Sequence, residues 1–400
     1  MVSFRALWDN LAPIGRSAEG GYLRYSWTET DRTLREWFVT QATARGLAAE
    51  TDRNGNVWAW WGSPEAGDAV VTGSHFDSVP HGGGYDGALG IASAFLAVDA
   101  LRARNVQPVR PIGIVAFTEE EGSRFGVACL GSRLLTGSLP PERARDLRDA
   151  DGVSLAEAMT AAGADPDALG PDPERLGRIR TFVELHIEQG RALADRRAAV
   201  GVASAIWPHG RWRFDFLGEG NHAGTTRMGD RRDPMLTYAY TVLAANKEAR
   251  MRGAHATVGR VSVEPNATNA VPSVVRGWLD ARAPDEDSLT ALVEAVTHRA
   301  RERALRDGTT VHVTAESVSP VTEFHSGLRE RIVKLLGDVP VLPTAAGHDA
   351  GVLAAHVPTA MLFVCNPTGV SHSPAEHATD EDCEAGVAAL ASVLEELACR

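Results

Sequence analysis

The sequence predicts an α/β protein: a larger domain built on a mixed, mostly parallel sheet, with a ferredoxin-like α+β unit inserted into it. Three observations carry this expectation. Short apolar runs alternate with longer helical stretches, the pattern of parallel strands joined by crossover helices. Between residues 206 and 318 the rhythm changes to β-α-β-β-α-β, the ferredoxin-like order. The chain has 400 residues, 44% of them hydrophobic, enough for a large core and two domains.

In the larger domain, "DAVVTGS" (Asp68 to Ser74) reads as a buried strand and "LGIASAFLAVDALRAR" (Leu89 to Arg104) as a helix with an apolar face. "PIGIVAFT" (Pro111 to Thr118), "RTFVELH" (Arg180 to His186) and "PTAMLFVC" (Pro358 to Cys365) read as further strands, and "EDCEAGVAALASVLEELAC" as a closing helix. The aromatic run "WAWWG" (Trp58 to Gly62) is expected to be packing or an edge strand. In the insertion, "RWRFDFLGEG", "ATVGRVSVEP", "SVVRGWLDAR" and "TTVHVTAES" read as strands, and "DPMLTYAYTVLAANKEAR" and "DSLTALVEAVTHRARERA" as helices. The expected boundaries are 1–205 with 319–400 for the first domain and 206–318 for the insertion.

Composition narrows the function. The formal net charge is −12, Lys247 and Lys334 are the only lysines, and no dense basic block appears, which argues against a nucleic-acid partner. No apolar run approaches the roughly 18 residues of a membrane span. The N-terminal stretch lacks a basic region followed by a long apolar one, so no secretory signal is expected. Four scattered cysteines (Cys129, Cys365, Cys383, Cys399) fit reduced thiols and a cytoplasmic location.

Four segments place His or acidic residues just after expected strands, where open α/β sheets form their ligand crevice. "GSHFDSVPHGGGYDGALG" carries His75, Asp77 and Asp86, "TEEEGSRFG" carries Glu119, Glu120 and Glu121, "ELHIEQG" carries His186, and "NPTGVSHSPAEH" carries His372. Each piece alone has a plainer explanation. A histidine after a strand is usually structural, and a triple Glu is usually a solvated face. The glycine-rich stretch suggests a phosphate loop, yet it lacks both phosphate-binding glycine patterns and carries two aspartates that would repel phosphate. Together, His, Asp, Glu, His and His from these segments form a nitrogen/oxygen donor set suited to zinc or another first-row metal. Five ligands exceed one tetrahedral zinc but suit two ions about 3.5–4 Å apart if one carboxylate bridges them.

The ordered motifs "GSHFDSV…GGGYDGALG", "EEEGSRF", "ELHIEQG", "GNHAGTTRM…RRDP", "NATNAVPSVVRGWLDAR", "AGHDA" and "GVSHSPAE" span nearly the whole chain. With them the sequence resembles the di-metal amidohydrolases related to aminoacylases and carboxypeptidases. Within that superfamily it resembles the branch of N-carbamoyl-L-amino-acid hydrolases, allantoate amidohydrolases and β-ureidopropionases. The resemblance implies a hydrolase of linear, non-peptide C–N amide bonds in ureido or N-carbamoyl acids, with two divalent ions per subunit (zinc, or manganese, cobalt or nickel). By that resemblance Asp86 bridges the ions, His75 and His186 complete one site, and Glu121 and His372 complete the other. Asp77 is implied to orient the His75 imidazole by a hydrogen bond, and Glu120 to act as general base on a metal-bridging water. Arg282, Asn269 and Gln189 are implied to hold the substrate, with His348 lining the pocket. His222 is implied to reach the active site of the other subunit of a homodimer and stabilise the oxyanion, which makes the insertion a lid and dimerisation domain. Arg191 and Arg227 stand where relatives commonly have Pro. Alternative expectations are hydrolysis of small N-acyl or N-formyl amino acids, a peptidase or aminoacylase of the same superfamily, and a non-catalytic dimeric binding protein.

Overall fold

The computed structural model describes residues 2–400. The chain divides into two compact units: the segment ending at Ala205 together with Glu323–Arg400, and Ile206–Thr322. The return to the first unit comes at Glu323 rather than at residue 319. The linking residues stay with the insertion, where the Val321 N–H donates to Glu286 Oε1 at 3.1 Å.

The first unit is built on a mixed sheet whose centre is four parallel strands, in the order Ile112–Phe117, Ala69–His75, Ile179–Ile187 and Thr359–Val364. The first, second and fourth of these are buried along their whole length, which is why their sequences are continuous apolar runs rather than alternating ones. Antiparallel strands flank them. Val57–Trp61 pairs with Ile112–Phe117 and then with Ala48–Thr51, while Val200–Ile206 pairs with Thr359–Val364. The "WAWWG" run is therefore not an edge strand. The short strand before it covers its free side, and Trp58 is fully buried, its indole N–H donating to Asp52 Oδ2 at 3.0 Å.

Two helices share one core with this sheet. Ala88–Ala103 and Asp380–Ala398 contribute Leu89, Phe95, Leu390 and Leu394 to the same apolar cluster as Leu185 and Val364. The second helix starts at Thr379, whose hydroxyl accepts the Asp382 N–H at 3.1 Å, and three acidic residues occupy its first turn.

The second unit is a four-stranded antiparallel sheet in the order Thr310–Ser319, His209–Leu217, Val274–Arg282, His255–Glu264. With helices Pro234–Arg252 and Glu286–Asp307 it makes the β-α-β-β-α-β arrangement. Strand His209–Leu217 alternates in burial, placing Trp212, Phe214 and Phe216 in a core with Ala245, Ala249, Leu292 and Val296 of the helices. Among the described residues no helix is long and apolar enough to cross a membrane.

Candidate metal centre

The parallel strands end together, and their ends carry the titratable residues. His75 closes its strand, His186 lies at the end of Ile179–Ile187, Glu119 to Glu121 follow Ile112–Phe117, and His372 follows Thr359–Val364. Asp86 sits at the start of the helix that returns from the first of these strands. Potential ligand atoms of His75, Asp86 and His186 all lie within 4.8 Å of one another, and so do those of Asp86, Glu121 and His372. Asp86 belongs to both groups and divides its oxygens between them. Its Oδ1 is 3.4 Å from His75 Nε2 and 3.1 Å from His186 Nε2, while its Oδ2 is 3.4 Å from His372 Nε2. His372 Nε2 is in turn 3.5 Å from Glu121 Oε2.

Backbone geometry brings these atoms together. Gly87 has φ +68, and a Cβ there would come within 2.5 Å of the His75 ring. Only glycine lets the chain turn this close beside the imidazole. Glu119 and His372 also adopt left-handed backbone, at φ +57 and +56, a conformation that non-glycine residues hold mainly where the surroundings enforce it.

The two buried histidines present the same ring nitrogen. His75 Nδ1–H donates to the Asp77 carbonyl at 3.0 Å, and His186 Nδ1–H to the Ile187 carbonyl at 2.8 Å. Each Nε2 then faces Asp86, so it is the nitrogen that either ring would offer to a metal ion in exchange for a proton. The Asp77 contact differs from the expected one. Its backbone carbonyl orients the ring, and its carboxylate, 3.6 Å from His75 Nδ1, instead accepts the N–H groups of Glu120 and Glu121 at 3.0 and 2.9 Å. Asp77 therefore fixes the turn that carries two acidic residues.

The electrostatics call for added positive charge. Burial pushes the Glu120 carboxyl well above the usual range, and burial with the Asp86 charge pushes Glu121 up to about 7. Glu184 and Asp349 are also buried and also raised, chiefly by desolvation. Burial resists the charge of Asp86 as well, but the imidazoles of His186, His372 and His75 hold its carboxyl well below normal. Among the described residues, His75 Nε2 and Glu121 Oε1 are buried without a hydrogen-bond partner. Orphaned donor atoms inside so acidic a cluster suit divalent cations, which would satisfy them and neutralise the carboxylates.

The other expected residues fall in two places. Glu120 lies beside the cluster, its Oε2 3.7 Å from His75 Nε2 and its Oε1 accepting a weak bond from the Cys129 thiol at 3.4 Å. Gln189 donates to Asp86 Oδ2 at 2.8 Å, and among the described residues its own Oε1 has no partner. His348 packs its ring against His186 at 4.6 Å. Among the described residues both its nitrogens lack partners, and burial pushes its pKa well below the usual imidazole range, which favours the neutral ring. His222, Asn269 and Arg282 belong to the second unit. There His222 pairs with Ala270 across a short ladder, and the Ala223 N–H donates to the Asn269 carbonyl at 2.9 Å. The exposed His222 ring accepts the Gly224 and Thr225 N–H groups on Nδ1 at 3.0 and 3.2 Å, which leaves Nε2–H as its donor. Arg282 ends its strand with Nε 2.8 Å from Asp280 Oδ1.

Sequence reasoning missed three buried carboxylates. Glu184 accepts the Ser74 hydroxyl at 2.7 Å and the Ala350 N–H at 3.0 Å, and it forms a third ligand-capable group with His186 and His348. Asp349 accepts the Ser132 hydroxyl. Glu376 accepts the N–H groups of Tyr85 and Asp86. An acidic residue inside an otherwise apolar strand was the available signal for Glu184. For the other two the signal was only their place within the quoted "AGHDA" and "SHSPAE" motifs.

The model of peptidase family M20/M25/M40 matches residues 71–396. The chain belongs to this family. Among its relatives is an N-carbamoyl-L-amino acid amidohydrolase of Geobacillus stearothermophilus, 38% identical with 100% of this chain and 99% of that one covered. An allantoate amidohydrolase of Escherichia coli K12 is 34% identical over 97% of this chain and 96% of its own. Among solved structures, an amidase of the hydantoinase/carbamoylase family from Burkholderia multivorans has TM-score 0.86 and 30% identity, covering 100% of this chain and 98% of that chain. The α/β architecture is thus that of the M20 family's amidohydrolases, and the ligand-capable groups lie within the matched span.

Proposed function

We propose that this protein is a di-metal amidohydrolase that cleaves a linear C–N bond of ureido acids, with N-carbamoyl-L-amino acids and allantoate as the two candidate substrates. The observation that carries the reading is the division of the Asp86 carboxylate, one oxygen toward His75 and His186 and the other toward His372 beside Glu121. The names of the relatives at 38% and 34% identity support the substrate class.

His75, Asp86 and His186 would hold one divalent cation, and Asp86, Glu121 and His372 the other, with zinc and manganese both suited to the donors. Such ions, when bound, acidify a water and polarise the substrate carbonyl. Glu120 takes the proton of the attacking water and delivers it to the nitrogen that leaves as the C–N bond breaks. Burial raises the affinity of its carboxylate for a proton, which supports that role. Gln189, Asn269 and Arg282 bind the substrate, the guanidinium of Arg282 taking its carboxylate, and His348 lines the pocket as a neutral ring.

The inserted unit serves as lid and as the contact surface of a homodimer, in which His222 donates its Nε2–H to the oxyanion in the other subunit's site. Two features of that unit support self-association. Leu236, Tyr240, Leu243 and Met251 form an exposed apolar stripe at helical spacing along Pro234–Arg252, and His255–Glu264 is a sheet edge carrying the exposed Val261. Free thiols at all four cysteines support a reducing, cytoplasmic location.

The test is turnover by manganese- and zinc-loaded protein on allantoate, N-carbamoyl-L-amino acids, N-formyl amino acids and dipeptides, following ammonia and free amine. Ammonia release from a ureido acid is expected. Dipeptide cleavage without ureido hydrolysis would replace this reading by that of a peptidase.

A further inference from the structure

Glu376 is 5% exposed, lies four residues beyond His372, and has no part in the ligand groups. Its carboxylate joins two segments nearly three hundred positions apart. Oε1 accepts the backbone N–H of Tyr85 at 3.0 Å and of Asp86 at 2.9 Å. Oε2 accepts the hydroxyl of Ser371, the neighbour of His372, at 3.3 Å. The same hydroxyl is 3.5 Å from Asp86 Oδ2. Gly83 makes room for this approach: a Cβ there would fall 2.2 Å from Glu376 Oε1 and 2.5 Å from its Cβ. Tyr85 is held from its other side by Trp8, whose ring stacks on it at 4.7 Å and 8°.

We propose that Glu376 is a positioning residue that sets the distance between Asp86 and His372, and so fixes the half of the site formed by Asp86, Glu121 and His372. The physical case rests on the weakness of what else holds this half. The His372 side chain is 48% exposed, whereas those of His75 and His186 are completely buried. His75 and His186 are further fixed by bonds from their own rings to backbone carbonyls. Gln189 Nε2 spans the two side chains, 2.8 Å from Asp86 Oδ2 and 3.4 Å from His372 Nε2, but the Asp86 backbone and the His372 loop are tied together by the Glu376 carboxylate with three hydrogen bonds. A buried carboxylate accepts such bonds strongly, and two main-chain N–H groups would otherwise be left buried and unsatisfied. Ligands held by outer partners of this kind lose typically about 10–100-fold in metal affinity when the partner is removed. Part of the glycine content of "HGGGYDG" thereby has a reason: Gly83 is the space through which the brace reaches Asp86.

This inference rests on the di-metal reading, and the experiment separates the two. Manganese and zinc binding are measured by chelator competition on full-length wild type, Glu376→Asp, Glu376→Gln and Ser371→Ala, with far-UV circular dichroism and the metal-free Tm recorded for each. Wild type is expected to bind two ions with different affinities. Glu376→Asp keeps the charge but shortens the reach, and should weaken the ion on the His372 side about 10–100-fold and the other, which shares Asp86 but keeps two buried histidines, at least several-fold less. Glu376→Gln retains an oxygen for the two N–H groups and should recover most of that loss. Ser371→Ala should weaken the same ion less than Glu376→Asp does. Two ions bound by wild type with an unchanged affinity in Glu376→Asp would overturn the brace alone. Equal weakening of both ions would also overturn it, since that is what general loosening of the fold produces. A wild-type protein that binds no metal would overturn the di-metal reading and this inference with it. If Glu376→Asp does not fold, an unchanged pair of affinities in Ser371→Ala is the overturning result.

Discussion

The two units carry polar residues of opposite character. In the first, His75, Asp86 and His186 are buried, their positions over-determined by strand ends, backbone carbonyls and glycines that a side chain could not replace. In the second, His222 and Asn269 are exposed and Arg282 half-buried, resting on local main-chain bonds and on Asp280. The first arrangement is what charged ligands of a cation require, because burying them is costly without the ion and rigid placement is what gives it affinity. The second suits groups that meet a substrate or another protein surface late in the reaction. The proposed division is between residues that make the site and residues that complete it, and substitution shows on which side of that line a residue stands.

The largest effect is expected from Asp86→Ala. It removes a ligand from both groups at once and leaves two donors in each. Metal affinity should fall by more than the roughly 100-fold typical of losing an outer partner, and hydrolysis should become undetectable. Inductively coupled plasma analysis showing two ions retained after dialysis would place Asp86 outside the ligand set. Glu120→Gln should divide the two properties. Both ions should remain, because Gln keeps the shape and a neutral oxygen, while kcat falls by about 10²–10⁴-fold with loss of the proton carrier. Loss of metal together with activity would move Glu120 from proton transfer to ligation.

How much of this division was legible in the sequence depended on the kind of constraint. The parallel strands could be read because burial on both faces makes their sequences continuously apolar, as in "DAVVTGS" and "PTAMLFVC". The histidines and acids could be gathered because strand ends converge in this class of fold. The contact made by Asp77 could not be foreseen. Sequence spacing does not distinguish the carbonyl from the carboxylate of a residue two positions after a histidine, and only the backbone path decides that the carbonyl, at 3.0 Å against 3.6 Å, meets the ring. Glu376 was hidden for a different reason. It acts through main-chain N–H groups, which carry no residue-type signature, across a separation that no local pattern spans. The place of the aromatic strand next to the parallel centre was also out of reach, since Ala48–Thr51, which covers it, is short and largely exposed.

His222→Ala tests the exposed side of the comparison. Metal content should be unchanged, and kcat should fall by about 10²–10³-fold, the usual loss for one oxyanion donor. The proposed action in the other subunit has a further consequence. Mixing Glu120→Gln with His222→Ala, each impaired by itself, under conditions that exchange subunits should raise activity well above that of either variant. In a mixed dimer one site then holds an intact Glu120 and receives an intact His222 from its neighbour. Mixtures that exchange subunits and gain no activity would confine His222 to its own chain.

The smallest effect is expected within the stretch that also carries the largest. His81 lies between His75 and Asp86 in sequence, yet its ring points away from them: Nδ1 bonds the Gly20 carbonyl at 3.0 Å and Nε2 is 4.0 Å from Glu19. Its backbone is left-handed, at φ +56, so the substitution that isolates the side chain is His81→Asn, because Asn tolerates that conformation. Metal content and kcat should stay within about twofold of wild type, and stability should fall by about 0.5–1.5 kcal/mol for the lost hydrogen bond. Urea unfolding of the metal-free protein measures the second quantity. A His81→Asn protein that lost an ion would show that proximity in sequence, rather than the direction set by the backbone, selects the ligands, and the line between the residues that make the site and their neighbours would have to be redrawn.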